Sequence, residues 1–125
     1  MAILLIYNTH MSHTCKACVV HCMDFRIQKT IENLLAREGI SFGDFDRVSI
    51  AGGASLKNDA FPTLALSLKL HSPSLFILTA HEDCGAGTTL QDLQDAVRAA
   101  QEKFFGTRIQ GFWVKLDGTW EGVRV

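Results

Sequence analysis

The sequence predicts an α/β protein whose central sheet is mostly parallel and carries an antiparallel hairpin at one edge. Three observations predict it. Apolar segments of strand and helix character alternate along the chain, the strand-like ones are short runs of the kind that is buried on both faces, and an Asp-Gly pair separates the last two apolar runs. Strands joined through helices pair in parallel, whereas Asp-Gly closes a hairpin.

Each element follows in order. Residues 17–22 (ACVVHC) are apolar and rich in β-branched side chains, a buried strand. Residues 27–38 place Ile27, Ile31, Leu34 and Leu35 at helical spacing, with Gly39 as the C-terminal cap. A second strand over 47–51 runs into Gly52-Gly53. Residues 61–71 have helical composition, and Pro62 is tolerated in a first turn. Residues 74–80 (SLFILTA) are the strongest strand of the chain. Thr88 or Thr89 then caps a helix reaching about Phe104, with Leu90, Leu93, Val97, Ala100 and Phe104 as its apolar stripe. The chain closes with strands over 109–116 and 119–125 around Asp117-Gly118. The apolar run 2–7 reads equally as an edge strand, an arm on a partner, or a segment before an alternative start at Met11.

Composition narrows the function classes. A length of 125 residues predicts one domain over 1–125, with 1–16 as an N-terminal arm. The formal charge of −1 argues against binding nucleic acid or an anionic membrane. The run 2–7 is too short for a signal peptide, and no stretch is long and apolar enough to span a bilayer. The expectation is a cytoplasmic protein with reduced thiols, in which clustered Cys and His hold metal or do chemistry. A small core and an exposed sheet edge favour a homodimer.

In open parallel sheets ligands collect beyond the carboxyl ends of strands. Two segments fall there. In Cys22-Met23-Asp24-Phe25-Arg26, an extended backbone would turn Cys22, Asp24 and Arg26 to one face. In His81-Glu82-Asp83-Cys84-Gly85, a turn brings His81 and Cys84 onto one ion. Cys22, His81 and Cys84 together form a set suited to Zn²⁺, and three protein ligands leave a fourth position for water. Two thiolates blunt the acidification of that water, so an acceptor that orients it is useful. Asp24 is placed for this, and Arg26 for holding Asp24 ionised.

At these residues the chain resembles the β-class carbonic anhydrases. Cys-x-Asp-x-Arg stands here as CMDFR, the Ala-Gly-Gly loop as Ala51-Gly52-Gly53, and His-x-x-Cys-Gly as HEDCG, in the family's order. The resemblance runs from about Ala17 to Val125. It implies a three-layer α/β fold with sheet order 2-1-3-4 plus an antiparallel edge strand. It also implies Zn²⁺ on Cys22, His81 and Cys84, and Asp24 and Arg26 as a catalytic dyad. Ala51, Gly52, Gly53 and Gly85 would lie against substrate. The implied reaction is hydration of carbon dioxide to bicarbonate by zinc-bound hydroxide, in a dimer or a multiple of dimers. Related members hydrolyse carbon disulfide or carbonyl sulfide, and a zinc-binding module without turnover is a further alternative. In some members the aspartate closes onto the metal, and Asp24 could do the same. The chain departs from the family pattern in being short, in carrying Phe25 where a small residue is usual, in Ser49-Ile50 before the glycine loop, and in having no glutamine before CMDFR.

Several residues carry rival readings. Cys15-x-x-Cys18 is either a redox pair or, with His81 and Cys84, half of a closed zinc cage. His10, His13 and His71 are candidate proton carriers. A phosphatase loop is set aside, because Gln28 stands where its arginine would be needed. His21 alternates away from Cys22 and reads as a hydrogen-bonded core residue. Trp113 and Trp120 read as core or interface, and Glu82 and Asp83 as acceptors that orient His81.

Overall fold

The computed structural model describes residues 13–125; the run 2–7, His10 and Met11 lie outside the described residues. Five strands form one sheet in the order β2-β1-β3-β4-β5. They are β1 (Ala17–His21), β2 (Phe45–Ser49), β3 (Leu75–His81), β4 (Arg108–Val114) and β5 (Trp120–Val123). The first four run parallel and β5 returns antiparallel to β4, which is the expected architecture. The connecting helices are α1 (Gln28–Arg37), α2 (Ala60–His71) and α3 (Leu90–Lys103).

Side-chain alternation sorts the core into two layers. From β1 and β3, Cys18, Val20, Phe76, Leu78 and Ala80 pack under α2 and α3 with Leu64, Leu93 and Val97. The opposite faces, Ala17, Val19, Leu75 and Ile77, pack under α1 with Ile27, Ile31 and Leu34. Both central strands are buried throughout, which is why they read as unbroken apolar runs. Trp113 leans on the first layer and Trp120 on the second.

Local signals end the helices as expected. At the end of α1, Gly39 is left-handed (φ 75°), and its N–H and that of Ile40 close onto Ala36 and Leu35 at 3.1 and 2.9 Å. Thr89, not Thr88, caps α3: its hydroxyl accepts from Asp92 N–H while the Asp92 carboxylate accepts from Thr89 N–H. The second strand lies two residues earlier than the sequence suggests, because residues 50–53 leave the ladder to form the glycine turn. In the hairpin, β4 ends at Val114, two residues before the expected end at Leu116. Asp117 there accepts from the N–H and hydroxyl of Thr119.

Candidate metal centre

The carboxyl ends of β1 and β3, neighbours at the middle of the sheet, bring the two motifs together. Cys22 follows β1, His81 is the last residue of β3, and Cys84 is returned by a turn in which Asp83 is left-handed (φ 52°). One ligand atom from each of Cys22, His81 and Cys84 lies within 4.8 Å of the others. Cys22 and His81 are 4% and 0% exposed.

His81 is fixed through its other nitrogen. Its Nδ1 donates to the Glu82 carbonyl at 2.7 Å, which leaves Nε2 as the accepting nitrogen. That Nε2 is buried and has no hydrogen-bond partner; the nearest carboxylate, Asp24, is 3.6 Å away. A buried acceptor without a partner carries a desolvation cost that a cation among two thiols and an imidazole would offset. The donor set therefore fits zinc. The expectation that the Glu82 or Asp83 side chain orients His81 is corrected. The Glu82 main-chain carbonyl does so, while its carboxylate accepts from Leu116 N–H at 2.7 Å and Asp83 faces Arg26.

Asp24 and Arg26 meet, but not by strand alternation. Asp24 caps a short 3-10 turn (Phe25–Ile27), accepting the Arg26 N–H at 2.8 Å, so the backbone folds back at the point expected to stay extended. The Arg26 guanidinium then donates to Asp24 from Nε at 3.1 and 3.2 Å and from Nη2 at 2.8 Å. It also donates to the Asp83 carboxylate at 3.1 Å and the Asp83 carbonyl at 2.9 Å. These side-chain bonds, then the backbone N–H, hold the Asp24 carboxyl down at about 2. Arg26 is raised in return, first by Asp24 and then by Asp83.

The glycine loop packs directly on the candidate ligands. Gly52 (φ 91°) donates its N–H to Cys22 Sγ at 3.3 Å, and Gly53 (φ 66°) has room for no Cβ, which would sit 2.4 Å from the Thr79 carbonyl. Both glycines are thus required by close approach to protein, and Ala51 lines an adjacent cavity of about 190 Å³ with Ala86, Gly87 and Thr88. Gly85 is exposed in the turn after Cys84.

Three supporting residues escaped the sequence reading. Gln28 Nε2 donates to the carbonyls of Asp24 at 2.7 Å and Cys22 at 3.3 Å. Asn58 Nδ2 clamps the carbonyls of Ala51 and Gly53 at 3.0 and 2.8 Å. Arg47 Nε donates to His21 Nε2 at 2.8 Å, while His21 Nδ1 donates to the Cys22 carbonyl at 2.8 Å. Burial lowers the His21 pKa, in keeping with a neutral core imidazole. No spacing rule marks a lone Gln, Asn or Arg whose target is a main-chain carbonyl or a buried ring.

The rival readings of Cys15 and Cys18 fall. Cys15 precedes β1, so it lies at the amino end of the sheet, about 20 Å along the strand direction from Cys22 at ordinary strand rise. It cannot join His81 and Cys84 in a cage. Burial raises both thiols, that of fully buried Cys18 to about 11, which works against the reactive thiolate of a redox pair. His71, bonded to Asp46 at 2.7 Å, and His13 beside it share that amino end, too far off to carry protons for the metal centre.

A family model described as "Putative carbonic anhydrase" matches residues 12–124. No curated protein matches the sequence. Among solved structures, carbonic anhydrase from Streptococcus mutans is similar at TM-score 0.68 and 17% identity, over 98% of this chain and 93% of that one. A carbon disulfide hydrolase in its apo form is similar at TM-score 0.66 and 15% identity, over 92% and 81%. A tetrameric β-carbonic anhydrase from Sordaria macrospora is similar at TM-score 0.62 and 11% identity, over 98% and 86%. At these identities the likeness is one of fold, whereas the family model spans nearly the whole sequence. With its motifs at the strand ends and its sheet in the expected order, the chain belongs to the carbonic anhydrase family, on the β-class fold.

Proposed function

We propose that the chain catalyses the reversible hydration of carbon dioxide to bicarbonate, with zinc held by Cys22, His81 and Cys84. One observation carries this reading: the buried, unpartnered Nε2 of His81 lies within reach of two cysteine sulfurs and 3.6 Å from a carboxylate held by arginine. When bound, zinc with three protein ligands acidifies a water molecule and so supplies a nucleophile near neutral pH.

The chain's own residues do the rest. Asp24, ionised and clamped by Arg26, accepts the O–H of the attacking group and thereby aims its lone pair at the carbon. Arg26 is itself anchored on Asp83, so the carboxylate is held at a fixed direction rather than swinging onto the ligand cluster. The Gly52 N–H draws charge from Cys22 Sγ, which offsets part of the electron donation of two thiolates. Carbon dioxide brings no charge and no donor, so it suits a small space at the Ala51 side, with Gly52, Gly53 and Gly85 as backbone neighbours. Phe25, 86% exposed, and Met23, 63% exposed, flank Asp24 as an apolar rim that a second copy of the chain would cover, in a homodimer or a multiple of it.

Stopped-flow hydration of carbon dioxide by zinc-verified protein tests the reading. Wild type is expected to turn over, and Asp24→Asn to lose about 10²–10⁴ of the rate while keeping its zinc. No hydration by zinc-loaded wild type from about pH 6 to 9, the range of zinc-water ionisation, overturns it. The likeness to a carbon disulfide hydrolase makes carbon disulfide and carbonyl sulfide the second substrates to assay. Zinc without turnover of any of these would mark a binding module.

A further inference from the structure

We propose that Cys15, Asp46 and His71 form a second divalent-metal site at the amino end of the sheet. One ligand atom from each of Cys15, Asp46 and His71 lies within 4.8 Å of the others, the same closeness as in the centre at the carboxyl end. The His13 ring lies 5.0 Å from the His71 ring, centroid to centroid, so a shift of that residue would bring a second imidazole to the ion. A thiol, an imidazole and a carboxylate are three donors that a zinc-like ion accepts, and His13 or water would complete its coordination.

The donors come from separate stretches of chain. Cys15 and His13 precede β1, Asp46 is the second residue of β2, and His71 ends α2. Such convergence is what a cross-link requires. Without metal the cluster is held by hydrogen bonds: Asp46 Oδ2 accepts from Ser67 Oγ at 2.6 Å and from His71 Nδ1 at 2.7 Å. The Cys15 thiol donates to the Ala17 carbonyl at 3.3 Å. Binding would release the Cys15 thiol proton to solvent, shift the His71 ring proton from Nδ1 to Nε2, and exchange the His71–Asp46 bond for two bonds to the ion, leaving Ser67 to hold the carboxylate. The ion would tie the outermost strand β2 to α2 and to the segment entering β1. This site has no part in the proposed hydration.

Metal counting on the full chain tests it. Metal-free protein is equilibrated with Zn²⁺, and separately with Co²⁺, then freed of loosely held ion and analysed for metal per chain. Wild type is expected to hold two ions, His71→Ala one, and the Cys22→Ser/Cys84→Ser double variant one. The cobalt form of the double variant should keep a thiolate-to-metal absorption band that Cys15→Ser abolishes. If the double variant does not fold, the difference between wild type and His71→Ala decides alone. Equal metal in wild type and His71→Ala overturns the proposal, as does a folded double variant that holds none. A single ion lost with His71→Ala and kept in the double variant would uphold this site while removing the basis of the proposed hydration.

Discussion

The two ends of the parallel sheet carry nearly the same side chains and treat them in opposite ways. At the carboxyl end, Cys22 and His81 are buried, the histidine nitrogen facing the thiols has no partner, and the local carboxylate is drawn off by Arg26. At the amino end, Cys15, Asp46 and His71 are part-exposed and hydrogen-bonded, two of them to each other. The difference lies in the partners. The His81 nitrogen that faces Asp24 is the accepting one, which an ionised carboxylate cannot satisfy, whereas the His71 nitrogen that faces Asp46 donates to it. A buried accepting nitrogen beside two thiols suits a cation that does chemistry, and a cluster already closed on itself suits structure.

The largest expected effect breaks the comparison at its centre. His81→Ala should remove the ion at the carboxyl end and lower carbon dioxide hydration by at least about 10³, since the ion supplies the nucleophile. His71→Ala should instead lower the metal-dependent rise in melting temperature. Metal analysis, stopped-flow rates and thermal scans on the same preparations separate the two. Equal loss of hydration in both variants would mean that the ends are coupled and the contrast is false.

Backbone crowding distinguishes the ends next. Gly53 and Gly39 are both left-handed, but a Cβ on Gly53 would meet the Thr79 carbonyl at 2.4 Å and the Cys22 nitrogen at 3.2 Å, whereas on Gly39 its nearest neighbour is the flexible Lys16 Nζ at 4.0 Å. Gly39→Ala should therefore cost about 1 kcal/mol, the left-handed penalty alone. Gly53→Ala adds displacement of the strand that carries His81, and roughly 3 kcal/mol or more is expected. Urea unfolding of the metal-free variants measures both. A similar cost at the two positions would mean that the glycine loop yields freely and does not brace the ligands.

How much of this was legible in the sequence follows from what each feature depends on. The strands, the order of elements and the ligand triad were legible because burial on both faces and strand-end position leave marks within a few residues. The Asp24–Arg26 pair was legible for an incomplete reason. Alternation predicted the meeting, but an aspartate whose side chain takes the N–H two residues on makes a turn, and that competition is local chemistry that periodicity ignores. Gln28, Asn58 and Arg47 were not legible at all. Their partners are main-chain carbonyls or a ring set beside them by the fold, between 4 and 26 positions away in sequence. The cluster of Cys15, Asp46 and His71 was hidden likewise, since three lone residues 31 and 25 positions apart form no motif until β1, β2 and α2 are assembled.

The smallest expected effect concerns the anchor of the glycine loop. Lys57, four residues past Gly53, pairs with Asp92 at 3.3 Å, and Asp92 is the reciprocal partner of Thr89 in the cap of α3. Thr89→Ala should cost about 1 kcal/mol at neutral pH, the usual worth of such a cap, with metal binding retained. The pH dependence has a definite sign. The Thr89 N–H, then the Lys57 side chain, holds the Asp92 carboxyl below the ordinary aspartate value, so the folded chain binds fewer protons there than the unfolded one. That stability is fully present above the unfolded pKa of about 3.9 and is lost as pH falls through the lower folded value. Asp92→Asn should accordingly flatten the acid limb of the stability curve of the metal-free protein below about pH 4, and leave its slope near neutrality unchanged. An acid limb as steep as in wild type would show that Asp92 is not held ionised by the cap. Asn58, which holds the Ala51 and Gly53 carbonyls, would then be the side chain that braces the loop, and Asn58→Ala the variant that loosens Cys22 from its glycine hydrogen bond.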